Sequence, residues 1–523
     1  MVFAVALAII LAFVLWGALF PDQLGSTAQM ALDFSTEKFG WFYLLSAFGF
    51  LIFALYLAFS RFGLIKLGKD EDEPEYSTTS WFAMLFSAGM GIGLVFWGVA
   101  EPVSHYIDPP EDTEPGTSQA ARIAMRYSFF HWGLHPWAIY SVISLALAYF
   151  QFRKGYKGLI SSTFVPLLGD RVNGPIGKTI DVLAVIATAF GVATSLGLGT
   201  LQIAGGIQQI FGYASTTVVQ VIIIAVVTVL YLISSTTGLD KGIRILSNVN
   251  LTVAVVLMLF VLFVGPTAFI FDTFTVTLGG YVQNLIQMSL RMTPFSDSTW
   301  VAAWTLFYWA WWISWAPFVG TFIARVSRGR TIRQFVLGVL LVPSLFGCFW
   351  FAVFGGSGIY SECFQNSGLA EAVKEDVTSA LFLMLQNLPL GSIAALIALL
   401  LIAMFFITSA DSATFVLGML SSNGNLNPSS KIKITWGLVQ SSIAVVLLIS
   451  GGLTALQTAS IVVALPFAII MIGMCVSLYK ALSEEDRENR KREKRMIADY
   501  RSMLDAAAAG EKDLSIKNNQ KFD

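Results

Sequence analysis

Long apolar runs dominate this chain and decide what it can fold into. They fall near 2–20, 41–62, 81–103, 123–151, 179–204, 216–236, 248–271, 298–324, 334–358, 390–419, 433–451 and 455–479, twelve in all. About 20 apolar residues in a helix cross roughly 30 Å of hydrocarbon. Backbone polar groups find no water there, so each run is expected to bond internally as a helix. The expected fold is an all-α integral membrane protein with twelve transmembrane helices. Only 12% of the 523 residues are charged, about half the share of a soluble domain. The first run, MVFAVALAIILAFVLWGALF, has neither a basic leader nor a small-residue cleavage site, so it reads as a span and not a signal peptide. Its abrupt start leaves room for a few upstream residues.

Charge orients the spans. The loops on one side carry sixteen Lys and Arg, from Arg61 through Arg153, Arg171, Lys241 and Arg328 to Lys433, against five on the other, Lys38, Arg122, Arg126, Arg291 and Lys374. The positive-inside rule then puts both termini in the cytoplasm of a multi-pass cell-membrane protein, with the acidic stretch 101–114, EPVSHYIDPPEDTE, as an outer loop. A membrane domain over 1–480 is followed by a charged, helix-forming tail over 481–523. Ser483 and Asp486 resemble a capping box there, and the basic run 490–495 suits anionic lipid. The net charge of −1 points to no nucleic-acid partner. Three scattered Cys and only three His (His105, His131, His135) argue against a metal cluster. No nucleophile–base pair or nucleotide loop appears, so an enzyme is not expected.

Two spans carry interruptions. The third reads FSAGMGIGLVFWGVAEP, with Gly89, Gly91 and Gly93 inside an apolar run. Each glycine costs up to about 1 kcal/mol in a helix interior, and their alternate spacing keeps no single packing face. Local unwinding around Gly89, Met90 and Gly91 is expected, exposing backbone groups that only a cavity or protein contact tolerates. The eighth span is broken by Pro317 in FYWAWWISWAPF. Interruptions at matching places in two halves point to a transporter site, with five-helix inverted repeats at about 81–271 and 298–479.

Aromatics gather in the same two regions. In HWGLHPWAIY, Trp132, Trp137 and Tyr140 fall at roughly 0°, 140° and 80° around one helix. In the eighth span Trp309, Trp312 and Trp315 follow an i, i+3, i+6 face with Trp311 beside it. Interfacial belts account for tryptophans near span ends but not for Trp137, Trp312 and Trp315, deep within theirs. Aromatic faces attract a quaternary ammonium by about 0.5–2 kcal/mol each, and the group has no N–H that needs an acceptor. A zwitterion's carboxylate could meet freed amides in GMGIG. In the tenth span, FFITSADSATF, Thr408 and Ser409 offer oxygens suited to Na⁺, and Asp411 is an intramembrane ionisable group, a gating or coupling candidate.

GMGIGLVFWGVAEP, HWGLHPWAIY, FYWAWWISWAPFVGTFIARVSRGRTIR, FFITSADSATF and GGLTALQTASIVVALPF resemble the betaine/choline/carnitine transporter family through nearly every span, about 40 to 480. The resemblance implies two N-terminal helices before a leucine-transporter-like five-plus-five inverted repeat, and a homotrimer. It implies a trimethylammonium box of Trp132, Trp137, Tyr140 and Trp312, with Trp311 and Trp315 on the inward path. One Na⁺ would lie between backbone at Ser87 and Met90 and Phe405, Thr408 and Ser409. A second would use Thr188 and the surroundings of Phe318, although Val192 stands where a further hydroxyl is expected one turn on. Choline carriers of the family tend to have Asp at the position of Gly93, and its Na⁺-independent carnitine exchangers have Ser-Ala for Ile92-Gly93. Glycine here therefore implies Na⁺-coupled symport of glycine betaine or a related compatible solute. An ion-independent exchanger, a choline or dimethylsulfoniopropionate carrier, and a betaine-sensing receptor are the alternatives.

Overall fold

The computed structural model describes residues 1–89, 91–236, 240–296 and 298–519. It is helical throughout, with no strand among the described residues beyond an isolated bridge between Lys66 and Thr331. In chain order the helices are α1 (Val2–Leu19), α2 (Pro21–Phe59), α3 (Thr78–Gly89), α4 (Ile92–Ile107), α5 (Ser118–Trp132), α6 (Leu134–Ala148), a short α7 (Val165–Leu168), α8 (Pro175–Phe211), α9 (Thr217–Thr236), α10 (Asp240–Val264) and α11 (Thr267–Ser289). Then come α12 (Phe307–Val326), α13 (Ile332–Gln365), short α14 (Leu369–Glu375) and α15 (Ala380–Gln386), α16 (Gly391–Ser421) and α17 (Ser430–Asn519).

Among the described residues, nine helices are long and apolar enough to cross a membrane, α5 and α6 counting as one and α17 as one. The runs near 433–451 and 455–479 both lie in α17, which kinks at Gly451 and Gly452. The third run is divided between α3 and α4, and the eighth holds α12 preceded by a π-helical turn, Ala302–Leu306. The chain is thus a multi-pass helical membrane protein. Its surface matches that solvent: Leu15, Phe59, Ile222, Phe263 and Ile469 point outward around α1, α2, α9, α10 and α17. The centre is built from α4, α5, α6, α8, α12 and α17, and α12 packs on α6, α8 and α17.

Three expectations about these elements need correction. Pro317 does not interrupt its helix, since α12 runs from Phe307 to Val326 with the proline inside. Proline removes one backbone bond, but within a protein-lined interior neighbouring groups keep the helix together. The helix around it is buried from Phe307 to Ser314 and again at Ala316, Pro317, Val319 and Gly320. The fourth run, read as continuous, is instead cut at Gly133 (φ −89°, ψ −129°). A Cβ there would lie 2.5 Å from the Phe129 carbonyl and 2.7 Å from the Tyr281 hydroxyl, and that hydroxyl accepts the Leu134 N–H at 2.9 Å. Finally, Ser483 starts no helix, because α17 passes through it without a break.

The basic loops converge at one end of the bundle. Arg153, in the π-helical turn after α6, donates to the Gly68 carbonyl at 2.8 Å and pairs with Asp70 at 2.9 Å. Glu485 on α17 sits between Arg153, Lys154 at 2.8 Å and the Tyr149 hydroxyl at 2.7 Å. Arg61 reaches Asp486 at 3.1 Å. Burial works against ionisation of Glu485, yet the hydrogen bonds from Lys154 and Tyr149 and the charge of Arg153 hold its carboxyl below the usual carboxylate range. A depressed folded pKa means this clasp is complete above the unfolded value, about 4.3, and is lost as pH falls through the lower folded value. Glu485→Gln should raise amide exchange of α17 around residues 480–490 about tenfold at neutral pH, because it leaves Arg153 and Lys154 without their counter-charge. Exchange equal to the wild type would show that the clasp does not hold the tail.

Candidate functional site

The third run breaks where glycines predicted it. α3 ends at Gly89, and α4 begins at Ile92 from an extended Gly91 (φ −162°, ψ −177°). Met90 lies outside the described residues. Gly93, in the first turn of α4, faces the aromatic cluster so closely that a Cβ would lie 2.5 Å from Trp311 Cη2 and 3.1 Å from Trp132 Cη2. The first amides of a helix have no partner within it, and here they lie beside that cluster.

Four expected rings form a connected set. Trp137 meets Tyr140 edge-on at 5.6 Å between centroids, Tyr140 meets Trp312 at 6.3 Å, and Trp312 meets Trp132 at 4.9 Å. The Gly133 break puts Trp132 at the end of α5 while Trp137 and Tyr140 ride on α6. Trp311 stacks on Trp312 at 4.7 Å and meets Trp315 edge-on at 6.4 Å. The indoles are pinned by their N–H groups: Trp132 to Glu101 Oε2 at 2.8 Å, Trp312 to the His131 carbonyl at 3.1 Å, Trp311 to Ser195 Oγ at 3.3 Å, and Trp315 to the Gly191 carbonyl at 2.9 Å. Ring faces are thus left for packing or a ligand. Trp132, Trp137, Tyr140 and Trp312 each retain 4–7% accessibility, whereas Trp309 has none and Trp311 has 1%.

The face of α12 differs from the expected one. Trp309 points away and stacks on His135 at 4.9 Å and against Phe130 at 5.0 Å. The face toward the cluster is Tyr308, Trp311, Trp312 and Trp315, an i, i+3, i+4, i+7 stripe. Tyr308 had not been singled out; that stripe in FYWAWWISW was the available signal.

Glu101 is the largest correction. It is no part of an outer loop: α4 continues to Ile107, and Glu101 is completely buried. Its Oε1 lies 2.7 Å from His131 Nδ1 and 3.2 Å from His105 Nε2, and its Oε2 accepts from Trp132 and, at 2.5 Å, from the Tyr308 hydroxyl. His131 Nε2 lies 3.0 Å from Thr305 Oγ1. Glu101, His105 and His131 come within 4.8 Å of one another through atoms able to bind a metal, against the expectation from three scattered histidines. Both carboxylate oxygens already have two partners each, so the group is satisfied as a hydrogen-bond hub. The i, i+4 spacing of Glu101 and His105 on one apolar helix was the sequence signal for it.

The expected cation residues lie on α16. Thr408 Oγ1 bonds the carbonyls of Met404 at 3.1 Å and Phe405 at 3.2 Å, and accepts from Asn250 Nδ2 at 3.2 Å. Asn250 Oδ1 beside it is buried and has no partner among the described residues. With half-buried Ser409, this gives oxygen ligands of the kind a hard cation takes. Phe405 and Asp411 are buried on the same helix, whereas the Ser87 side chain is exposed. Sequence reasoning missed Asn250, which with Asn248 opens the apolar stretch of α10. The second expected set lies on α8 and α12. The hydrogen bonds from Trp311 to Ser195 and from Trp315 to Gly191 run α12, which carries Phe318, alongside α8, which carries Thr188. Thr188 Oγ1 donates to the Ala184 carbonyl at 2.8 Å, as Thr408 does to carbonyls on α16, and Val192 offers no oxygen.

Comparison with known proteins adds a family. A family model described as "BCCT, betaine/carnitine/choline family transporter" matches residues 1–487. The chain is 55% identical to the glycine betaine transporter OpuD of Bacillus subtilis (strain 168), over 94% of this chain and 96% of that protein. It is 49% identical to an ectoine/hydroxyectoine transporter of Virgibacillus pantothenticus, over 93% and 97%. It is 45% identical to a glycine betaine transporter of Acinetobacter baylyi, over 92% and 72%.

Proposed function

Because the chain belongs to the betaine/carnitine/choline transporter family, we propose that it is a Na⁺-coupled symporter that carries glycine betaine into the cell by alternating access. The carrying observation is the set of Trp132, Trp137, Tyr140 and Trp312, all four linked by three edge-on contacts, beside the first turn of α4. A trimethylammonium group presents methyls that carry the positive charge and need no acceptor, so it suits aromatic faces. The unpartnered amides at the start of α4 suit the carboxylate at the other end. Gly93 keeps that turn close to the indoles.

In this reading the coupling ion sits at Thr408, Ser409 and Phe405, with backbone at Ser87 and Met90 across the α3–α4 break. α16 packs against α4, so an ion there would brace the same break that serves the substrate. When bound, it supplies positive charge that holds the two segments together. Asp411, three residues beyond Thr408, serves coupling or gating, and Trp311 and Trp315 line the inward path. The twelve spans form two N-terminal helices and a five-plus-five inverted repeat, with both termini cytoplasmic, a homotrimeric assembly, and the basic run 490–495 against anionic lipid. The similarity to an ectoine transporter supports ectoine as a second substrate, its delocalised cation meeting the same rings.

Isothermal titration of the purified protein with glycine betaine in Na⁺ tests the substrate; heat of binding is expected, and none would reject it. Thr408→Ala should raise the Na⁺ concentration for half-maximal uptake by about fivefold or more, since it removes an oxygen ligand and the partner of Asn250. An unaltered Na⁺ titration would move the ion elsewhere.

A further inference from the structure

The fully buried Glu101 is not itself among the expected substrate residues, yet both rings it anchors, the expected Trp132 among them, belong to the cluster. Trp132 and Tyr308 each give their only polar hydrogen to Oε2. Their rings contact one another at 5.7 Å, and both contact Trp312, at 4.9 and 5.9 Å. A carboxylate could be replaced by any neutral acceptor if placement alone mattered. Burying a charge is costly, and this one is held by four donors with no Lys or Arg among them. Such an arrangement keeps negative charge at the polar edges of both rings, in line with the indole N–H and the phenol O–H. Accepting a hydrogen bond from an indole N–H or a phenol O–H pushes electron density into the ring, and hydrogen bonds in a chain polarise one another. Tyr308 is covered by His131 and Trp312 and acts through that stack, whereas a cation over the accessible part of Trp132 meets a stronger negative face directly, reinforced by a carboxylate in low dielectric.

We propose that Glu101 is a positioning and polarising residue for the substrate cation: it fixes Trp132 and Tyr308 and, by its charge, raises the cluster's attraction for a quaternary ammonium. His131 and His105 hold the other oxygen and so fix the orientation of the carboxylate. This inference rests on the betaine reading above and deepens it. It predicts selectivity for charge at nitrogen as well as affinity.

The test compares glycine betaine with its carbon isostere, 3,3-dimethylbutanoate, which has the same shape and carboxylate without the cation. Both are titrated into wild type and Glu101→Gln by tryptophan fluorescence in the presence of Na⁺. Glu101→Gln should weaken glycine betaine about tenfold and the isostere less than about twofold. Equal weakening of both would reduce Glu101 to a structural support, and unchanged betaine affinity would remove it from recognition; either overturns the proposal. If the isostere binds neither protein, nitrogen charge carries the affinity and the betaine shift alone decides. If Glu101→Gln does not fold, Tyr308→Phe, which keeps the ring and cuts one donor, should show the same selective loss at about threefold; no selective loss would overturn the proposal. A wild type that binds no glycine betaine rejects the substrate reading itself and takes this inference with it.

Discussion

Gly93→Asp will lower the specificity constant for glycine betaine uptake by about 100-fold or more, with the protein still present in the membrane. Two effects act together. A Cβ at 93 would stand 2.5 Å from Trp311, and Trp311 cannot yield easily. Its ring is stacked between Phe307 at 5.5 Å and Trp312 at 4.7 Å, and its N–H is held by Ser195. Overpacking of this kind costs about 1–3 kcal/mol, and the displaced ring carries Trp312 with it. The new carboxylate would also sit in the first turn of α4, where the account places the substrate's own carboxylate, and like charges in a water-poor site repel strongly. Gly93→Ala separates the two, since it keeps the steric part alone and should lose about tenfold. Initial-rate uptake, normalised to protein in the membrane, reads both variants. Wild-type kinetics in Gly93→Asp would mean that the start of α4 is not the carboxylate site.

Trp312→Ala will raise the KM for glycine betaine at least about tenfold. Trp312 is the ring that joins the two parts of the cluster, with Trp132 on one side and Tyr140 on the other. Its removal deletes a cation–π face worth about 0.5–2 kcal/mol and loosens two edge-on pairs worth about 0.5–1.5 kcal/mol each. The matched control is Trp309→Phe. Trp309 lies on the opposite face of α12 against His135 and Phe130, so KM should stay within about twofold. If the two variants behaved alike, the observed face of α12 would not be the one that meets substrate.

The limits of sequence reading here have physical causes. Apolar runs are legible because a bilayer tolerates little else, and the glycines at 89–93 are legible because three of them oppose a helix at once. Pro317 misled because a proline costs a helix one bond but does not fix what neighbours do about it; α12 runs whole through it inside the packed core. The break at Gly133 was visible in part, since Pro136 falls in the first turn of α6, where proline is at home. What could not be read was Tyr281 of α11 arriving to bind Leu134, a contact 147 residues away in sequence. Glu101 was assigned to an outer loop because acidic residues crowd 101–114. Its burial depends on Trp132 and His131 from α5 and Tyr308 from α12, and only the assembled bundle brings them together.

The most direct measurement is uptake of radiolabelled glycine betaine into proteoliposomes with an inward Na⁺ gradient, beside the same vesicles with K⁺ in place of Na⁺. The account predicts concentrative uptake with Na⁺ and none with K⁺. Equal uptake in both would contradict ion coupling through α16 and leave the aromatic site serving an exchanger; no uptake in either would contradict glycine betaine as the substrate.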